Sequence, residues 1–229
     1  MTDPAPLLEE SAAREAIVEV GRRLWQRQYV SANDGNVSVR IDADRILCTP
    51  TMTSKGWMEP SDLAIVRIAD GEVLDRGTGR GPSSEVRLHL GVYRERPDIG
   101  AVVHAHPMHA TAFAIRGEAL TALLMPESVV ALPRVPLARY ATPSTDAVPE
   151  SIHPFVRTDR ACLLEQHGAI AWDTDLESAY LTMERIEYSA QITLLLRQLG
   201  GVRELDADQV AAIVERFGLG PLPATSLEG

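Results

Sequence analysis

The stretch Gly100-Ala101-Val102-Val103-His104-Ala105-His106 decides both the fold and the site of this 229-residue chain. Its first residues are small or β-branched and apolar, as in a strand that is buried on both faces. His104 and His106 are two residues apart, and residues two apart in a strand point to the same face. The stretch therefore predicts an interior strand whose end directs two imidazoles into a cleft, where they can share one metal ion.

A third histidine follows a second apolar run, residues 161–165, in the segment Gln166-His167-Gly168. A ligand placed directly after a strand can turn towards the first pair, so we expect His167 to complete the site. Three histidines leave a coordination position open, which is typical of a catalytic metal site. Three histidines together with one carboxylate, for which Glu85 is the candidate, favour zinc and would also accept manganese or cobalt.

Glu85 follows Pro82-Ser83-Ser84 at the start of a predicted helix that ends before Pro97. A carboxylate in the first helical turn can complement the helix dipole, or it can stand beside the metal ion. The two serines can cap the helix, or their hydroxyls and the helical amides can bind a phosphate or carboxylate. Gly35-Asn36, which precedes another strand, can offer similar donors. On the residues alone, each pair of alternatives stays open.

The rest of the chain mixes helical and strand patterns without a strict βαβ order. Apolar spacing predicts helices near residues 7–28, 109–116, 174–199 and 206–217, and hairpins that pair 37–41 with 45–49 and 63–68 with 72–74. Thr174 and Glu177 form a capping box for the long helix, and Gly200-Gly201 stops it. We expect one layered domain over residues 1–229, of the α/β or α+β class and not of the Rossmann type.

The bulk composition is average for a globular protein, with 45% apolar and 24% charged residues. A net charge of −10 argues against nucleic-acid and anionic-membrane partners, because both need a basic face. No apolar run approaches the ~20 residues that span a bilayer, and the first residues lack a signal-peptide pattern. Cys48 and Cys162 lie in apolar runs and indicate buried thiols in a reducing compartment. We therefore expect a cytoplasmic protein.

Several ordered segments together resemble the class II aldolase/adducin family. They run from about residue 9 to about residue 200 and comprise Gly35-Asn36-Val37-Ser38, Thr49-Pro50-Thr51, Pro82-Ser83-Ser84-Glu85, residues 97–106 and Glu165-Gln166-His167-Gly168. The resemblance implies a three-layer α/β/α sandwich around a central, mostly antiparallel sheet. It also implies a homotetramer with active sites between neighbouring subunits.

The resemblance further implies roles for individual residues. The three histidines would bind Zn²⁺, and Glu85 would be both a metal ligand and the catalytic acid/base. The residues expected around a substrate phosphate are Gly35, Asn36, Thr51, Ser83 and Ser84. Lys55 can add a cation for the phosphate or for a substrate carboxylate, although a solvated surface lysine is the simpler interpretation.

Two positions depart from the pattern of the family's aldolases. Met52 stands where those enzymes have glycine, and a methionine is strained there if the loop needs a positive φ. Met125 aligns near their neighbouring-subunit tyrosine, so the acid on the alcohol side of the reaction is not evident. Tyr140 and His109 are the nearby candidates for that catalytic role, and either can instead simply pack or cap.

These features favour a zinc-dependent aldolase of carbohydrate metabolism. It would cleave a small phosphorylated ketose to dihydroxyacetone phosphate and an aldehyde through a metal-stabilised enediolate. Alternatives on the same scaffold are a metal-dependent decarboxylase of a hydroxy (for instance aromatic) carboxylic acid, and a sugar-phosphate epimerase or dehydratase. A non-catalytic, adducin-like binding module is disfavoured, because the set of three histidines and Glu85 is complete.

Overall fold

The strand that carries the first histidine, β5 (Ala101–Ala105), lies inside an eight-stranded sheet. The computed structural model describes residues 7–223. Its other strands are β1 (Asn36–Arg40), β2 (Arg45–Cys48), β3 (Ala64–Arg67), β4 (Val73–Asp75), β6 (Leu137–Ala138), β7 (Ala161–Leu164) and β8 (Gly168–Asp173). Their order across the sheet is β4-β3-β2-β1-β5-β8-β7-β6, and only the pair β6–β7 is parallel. The expected mostly antiparallel sheet is confirmed.

Helices cover both faces of this sheet. One face carries α1 (Glu10–Gln26), α3 (Met108–Arg116) and α6 (Leu176–Gln198), and the other carries α2 (Val86–Glu95) and α5 (Ala147–Val156). The side chains of β5 alternate between the two cores, with Val103 on the first face and Val102 on the second. Two further helices, α4 (Pro126–Ala131) and α7 (Ala207–Phe217), pack on each other, and a 3₁₀ turn spans Pro60–Asp62. This confirms the three-layer α/β/α sandwich.

Two predicted helix starts are wrong by one or more residues. Glu85 itself occupies the N-cap position of α2, and Ser83 Oγ accepts a hydrogen bond from the backbone N of Glu85 at 3.3 Å. At α6 the cap is Asp175, whose carboxylate accepts from the backbone N of Ser178 at 2.8 Å. Thr174 therefore does not cap the long helix, because the carboxylate one residue later reaches the free amide.

The segment between α3 and β7 contains three elements that the sequence patterns did not predict, namely α4, β6 and α5. The helix α5 was hidden by its prolines, which normally oppose helix formation. Pro149 lies in its first turn, where no amide hydrogen is needed, and Pro154 lies close to its end.

The expected burial of the two cysteines is confirmed, and the long helix is buried along one side. Cys48 and Cys162 are buried free thiols, and the apolar stripe of α6 is buried at Leu176, Tyr180, Met183, Ile186 and Ala190. Among residues 7–223, no helix combines the length and the apolar character that a membrane crossing requires.

Backbone strain marks the loop after β2. Met52 has a φ of 55° and its side chain is 67% exposed, so the strained residue gains little from burial. Its carbonyl oxygen accepts a hydrogen bond from Nη1 of Arg80 at 3.0 Å. The left-handed conformation costs an L-residue about 1–2 kcal/mol, and glycine avoids that cost. The position therefore has the backbone conformation that glycine favours, although the chain carries methionine there.

Replacing Met52 with glycine is expected to raise the free energy of unfolding by about 0.5–1 kcal/mol, because the relieved strain exceeds the extra entropy of an unfolded glycine. Met52→Ala is the matched control, since it removes the exposed side chain and keeps the strain. Urea unfolding of the three proteins measures the difference. Equal stabilities of the glycine and alanine variants would contradict this account of the loop.

Candidate metal centre

Two strand ends and one helix start bring the four predicted metal ligands together. His104 lies within β5, opposite Asn36 of β1 on one side and Ile170 of β8 on the other. His106 follows β5 directly, and its backbone N donates to the carbonyl of Tyr29 at 2.8 Å. His167 occupies the turn between β7 and β8, and Glu85 stands at the start of α2.

The three imidazoles face a common point. The distance between Nε2 of His104 and Nε2 of His106 is 3.1 Å, and one ligand atom from each of the three histidines lies within 4.8 Å of the others. Glu85 joins them, with Oε2 at 3.5 Å from Nε2 of His104 and Oε1 at 3.4 Å from Nε2 of His167. The structure therefore assembles a compact set of three nitrogens and one carboxylate.

The protonation states suit metal binding. Nδ1 of His104 donates to the carbonyl of Ala169 at 2.9 Å, so the neutral ring keeps its lone pair on Nε2. Burial holds the pKa of His104 well below its usual value, and the neighbouring His167 makes the next largest contribution. Burial and the two other imidazoles likewise lower the pKa of His106 to about 3. Neutral imidazole is the form that ligates a metal ion.

Glu85 provides an independent test of whether a cation fits here. Its Oε2 accepts a hydrogen bond from Nδ2 of Asn36 at 3.0 Å. Its Oε1 is buried and makes no hydrogen bond within the described residues. A buried carboxylate oxygen without a donor is costly, and a cation between it and the imidazole lone pairs would remove that cost. The donor set therefore fits one divalent metal ion.

Two glycines allow the backbone to approach the centre closely. A Cβ on Gly168 would lie 2.6 Å from Cδ2 of His106 and 2.7 Å from the carbonyl oxygen of Ala105. A Cβ on Gly35 would lie 2.9 Å from the carbonyl oxygen of His104, and Gly35 also has a φ of +72°. Side chains at either position would push the loops away from β5.

A cleft of about 250 Å³ opens beside three of the predicted metal ligands, Glu85, His106 and His167. It is lined by predicted ligands and by predicted substrate-binding residues, namely Gly35, Asn36, Thr51, Lys55, Ser83, Ser84, Glu85, His106 and His167. Asn33, Asp34, Pro143 and Ser144 also line it, together with the strained Met52. The cleft therefore gathers residues that lie far apart in the sequence.

Lys55 is not the solvated surface residue that the simpler interpretation assumed. It is 2% exposed, and its Nζ donates to the carbonyls of Asn33 at 2.8 Å and Thr53 at 2.7 Å. Burial lowers the pKa of this ammonium to about 8, although the charges of Asp34 and Glu85 oppose the shift. An ammonium has three donors, so one N–H is left for a ligand in the cleft.

The two residues predicted as acids on the alcohol side, Tyr140 and His109, do not line this cleft. Tyr140 is 56% exposed, and its backbone N binds the Glu165 carboxylate at 2.8 Å. Nδ1 of His109 donates to Glu187 at 2.7 Å, and that carboxylate also accepts from the backbone N of Ala110 at 2.9 Å. Within one chain, His109 therefore binds the Glu187 carboxylate that caps the start of α3. The catalytic role of both Tyr140 and His109 stays a prediction.

The sequence patterns missed His89, which is buried on α2 one turn after Glu85. Its Nε2 lies 2.5 Å from Oδ1 of Asn36, and its Nδ1 lies 2.6 Å from Oγ of Ser38. Because His89 follows Glu85 at i+4, the sequence places the two side chains on one helix face. That spacing was the signal from which His89 could have been predicted to lie near the site. Asp34 was also missed, because its segment indicated only a turn.

The family model described as "Class II Aldolase and Adducin N-terminal domain" matches residues 15–194. A 3-oxo-tetronate 4-phosphate decarboxylase from Cupriavidus necator is 31% identical over 84% of this chain and 88% of its own. An L-fuculose phosphate aldolase from Escherichia coli K12 is 34% identical over 92% of this chain and 96% of its own.

A solved structure of an L-fuculose 1-phosphate aldolase superposes with a TM-score of 0.81 at 29% identity. The match covers 91% of this chain and 97% of that one. The resemblance that the ordered segments indicated is thereby confirmed over most of the chain. The protein belongs to the class II aldolase/adducin family.

Proposed function

We propose that this protein is a zinc-dependent lyase that removes carbon dioxide from a small phosphorylated 3-oxo acid with a hydroxyl group at C2. The observation that carries the proposal is the cleft itself, in which the buried cation Lys55 accompanies the metal ligands. The similarity to a 3-oxo-tetronate 4-phosphate decarboxylase supports this substrate class. An aliphatic phosphorylated acid is accordingly preferred over the aromatic acid considered from the sequence.

The metal ion would be held by His104, His106, His167 and Glu85. When bound, it would supply a Lewis acid that stabilises the negative charge developing on the ketone oxygen. In the reaction the bond between the carboxyl carbon and C2 breaks, its electron pair forms an enediolate, and a proton then adds to C2. Glu85 is the group that delivers this proton to C2, because it lies at the cleft. Its side chain is 16% exposed, so it can take up the proton from solvent.

The anionic ends of the substrate need separate partners. Thr51, Ser83 and Ser84 supply hydroxyl groups at the cleft, and the start of α2 lies beside the two serines. Lys55 supplies a charge-assisted hydrogen bond, which is about twice as strong as a neutral one. We assign the phosphate to the hydroxyl groups and the departing carboxylate to Lys55.

Decarboxylation requires fewer proton-transferring groups in the cleft than aldol cleavage does. The departing carbon dioxide needs no proton transfer, whereas aldol cleavage requires a group that takes the proton of the alcohol. Neither Tyr140 nor His109 lines the cleft of a single chain. The observed set of cleft residues therefore favours the first reaction.

Aldol cleavage of a phosphorylated ketose is the second candidate, because of the similarity to an L-fuculose phosphate aldolase. Both reactions form the enediolate of the same phosphorylated dihydroxyacetone unit, so one metal centre would serve either. We retain as proposals a homotetramer with sites between subunits and a cytoplasmic location. In such a tetramer, Tyr140 or His109 of a neighbouring subunit would take the proton of the alcohol during cleavage. Exposed apolar side chains such as Trp57 and Met108 support an assembly.

A substrate panel distinguishes the two reactions. With the zinc-loaded protein, 3-oxo-tetronate 4-phosphate is expected to yield carbon dioxide and triose phosphate in equal amounts, and faster than L-fuculose 1-phosphate yields triose phosphate. Coupled assays measure both products. His104→Ala should be inactive because it lacks a metal ligand. If only the ketose phosphate is turned over, aldol cleavage becomes the proposed activity and decarboxylation is contradicted. If only unphosphorylated acids are turned over, both candidates are contradicted.

The role of Lys55 predicts a pH dependence. Because the pKa of Lys55 is lowered to about 8, its ammonium is charged below that pH and neutral above it. The value of kcat/KM for the anionic substrate should therefore fall as the pH rises through about 8. Lys55→Met should lower kcat/KM at neutral pH by about 10- to 100-fold, the worth of one hydrogen bond to a charged group.

The matched control is Arg80→Met, which removes a nearby cation whose own side chain does not line the cleft, although it donates to the carbonyl of Met52. This variant should keep the fall in kcat/KM near pH 8. If Lys55→Met kept the same fall, a different group would be responsible and Lys55 would not bind the substrate.

A further inference from the structure

A continuous line of hydrogen bonds runs from Glu85 into the core. Asn36 Nδ2 donates to Glu85 Oε2 at 3.0 Å, and Asn36 Oδ1 lies 2.5 Å from His89 Nε2. His89 Nδ1 lies 2.6 Å from Ser38 Oγ, which in turn lies 2.9 Å from the hydroxyl of Tyr93. The four residues behind Glu85 are each at most 2% exposed. The line is thus a buried connection that ends at a metal ligand.

The directions of the first three hydrogen bonds in this line, from Glu85 to Ser38, follow from the carboxylate. An ionised Glu85 can only accept, so Asn36 must present its NH₂ group to Glu85 and its Oδ1 to His89. His89 must then donate from Nε2, which leaves Nδ1 of the neutral ring as an acceptor for the Ser38 hydroxyl. Burial lowers the pKa of His89 to about 4, so the ring is neutral near pH 7. The tautomer of His89 and the orientation of the Asn36 amide are therefore coupled, and each fixes the other.

The backbone places these groups without strain. Asn36 and Ser38 are two residues apart on β1, so both side chains point to the face covered by α2. His89 and Glu85 are one turn apart at the start of α2. His89 thus bridges two side chains of the strand, while Glu85 contacts only the first of them.

We propose that His89 is a positioning residue for the metal centre, because it fixes the Asn36 amide in the orientation that holds Glu85 against the three histidines. If the amide turned over, its carbonyl oxygen would face the carboxylate and repel it. Glu85 Oε1, which makes no hydrogen bond within the described residues, would then lose its fixed direction towards the metal position. The inference rests on the proposed function only in taking Glu85 as a metal ligand and proton carrier.

Two substitutions of His89 separate positioning from simple packing. His89→Gln can place an amide N–H near the position of Nε2 and keep the hydrogen bond to Asn36. His89→Asn is too short for that bond and can reach only Ser38. Val92→Ala on the same helix is the matched control, because Val92 is fully buried among apolar side chains and takes no part in the line.

The measurements are the Co²⁺ dissociation constant and visible absorption spectrum of the metal-free protein titrated with Co²⁺, together with kcat of the zinc-loaded enzyme and the melting temperature. We expect His89→Asn to weaken Co²⁺ binding and lower kcat by about tenfold, as for other residues that orient a metal ligand. His89→Gln should resemble the native protein. Val92→Ala should lower only the melting temperature. Adding Asn36→Ala to His89→Asn should cost no more than Asn36→Ala alone, because His89 acts through Asn36.

Native Co²⁺ binding and kcat in His89→Asn would overturn the inference while leaving the proposed function intact. The inference would also be overturned if His89→Gln and His89→Asn lost Co²⁺ affinity and kcat equally, in proportion to their melting temperatures. Such a result would show that His89 contributes only packing. If the native protein bound no Co²⁺, the proposed function would fail first and this inference with it.

Discussion

Three imidazoles and one carboxylate converge at the end of β5, and this arrangement fits one divalent cation. His104 is fully buried, and its ring is fixed by the carbonyl of Ala169. One oxygen of Glu85 is buried without a hydrogen bond in the described part of the chain. A cation between the carboxylate and the neutral imidazoles would give this buried oxygen a partner. The loops, the cleft and the hydrogen bonds behind Glu85 all surround this candidate metal centre.

The sheet supplies the rigidity that the centre needs. Pairing of β5 with both β1 and β8 places His104 opposite Asn36 and next to the turn that carries His167. Groups that hold a metal must keep their geometry within a fraction of an ångström, and strands do this better than loops. The residues proposed to bind the substrate phosphate lie on the loops around Thr51 and Ser83, where Met52 also shows strain.

Much of the centre could be predicted from the sequence, because its signals are local. The period of two in β5 places His104 and His106 together, and the strand before His167 leads it to the same edge. The burial of Lys55 could not be predicted, since it depends on close approach of its backbone to Gly21 of α1. The contact of His89 with Asn36 joins residues 53 positions apart, and no periodic pattern reports it. The helix α5 was not predicted because of its prolines. Helix propensity penalises a proline at any position, although the first turn of a helix tolerates one.

Zinc K-edge X-ray absorption on the metal-loaded protein tests the central claim most directly. The account predicts one zinc per chain with three imidazole nitrogens and at least one oxygen at about 2.0–2.2 Å, and it predicts that the His167→Ala variant loses one of the three nitrogen ligands. A zinc environment that is unchanged in His167→Ala, or a native protein that retains no zinc, would contradict the account.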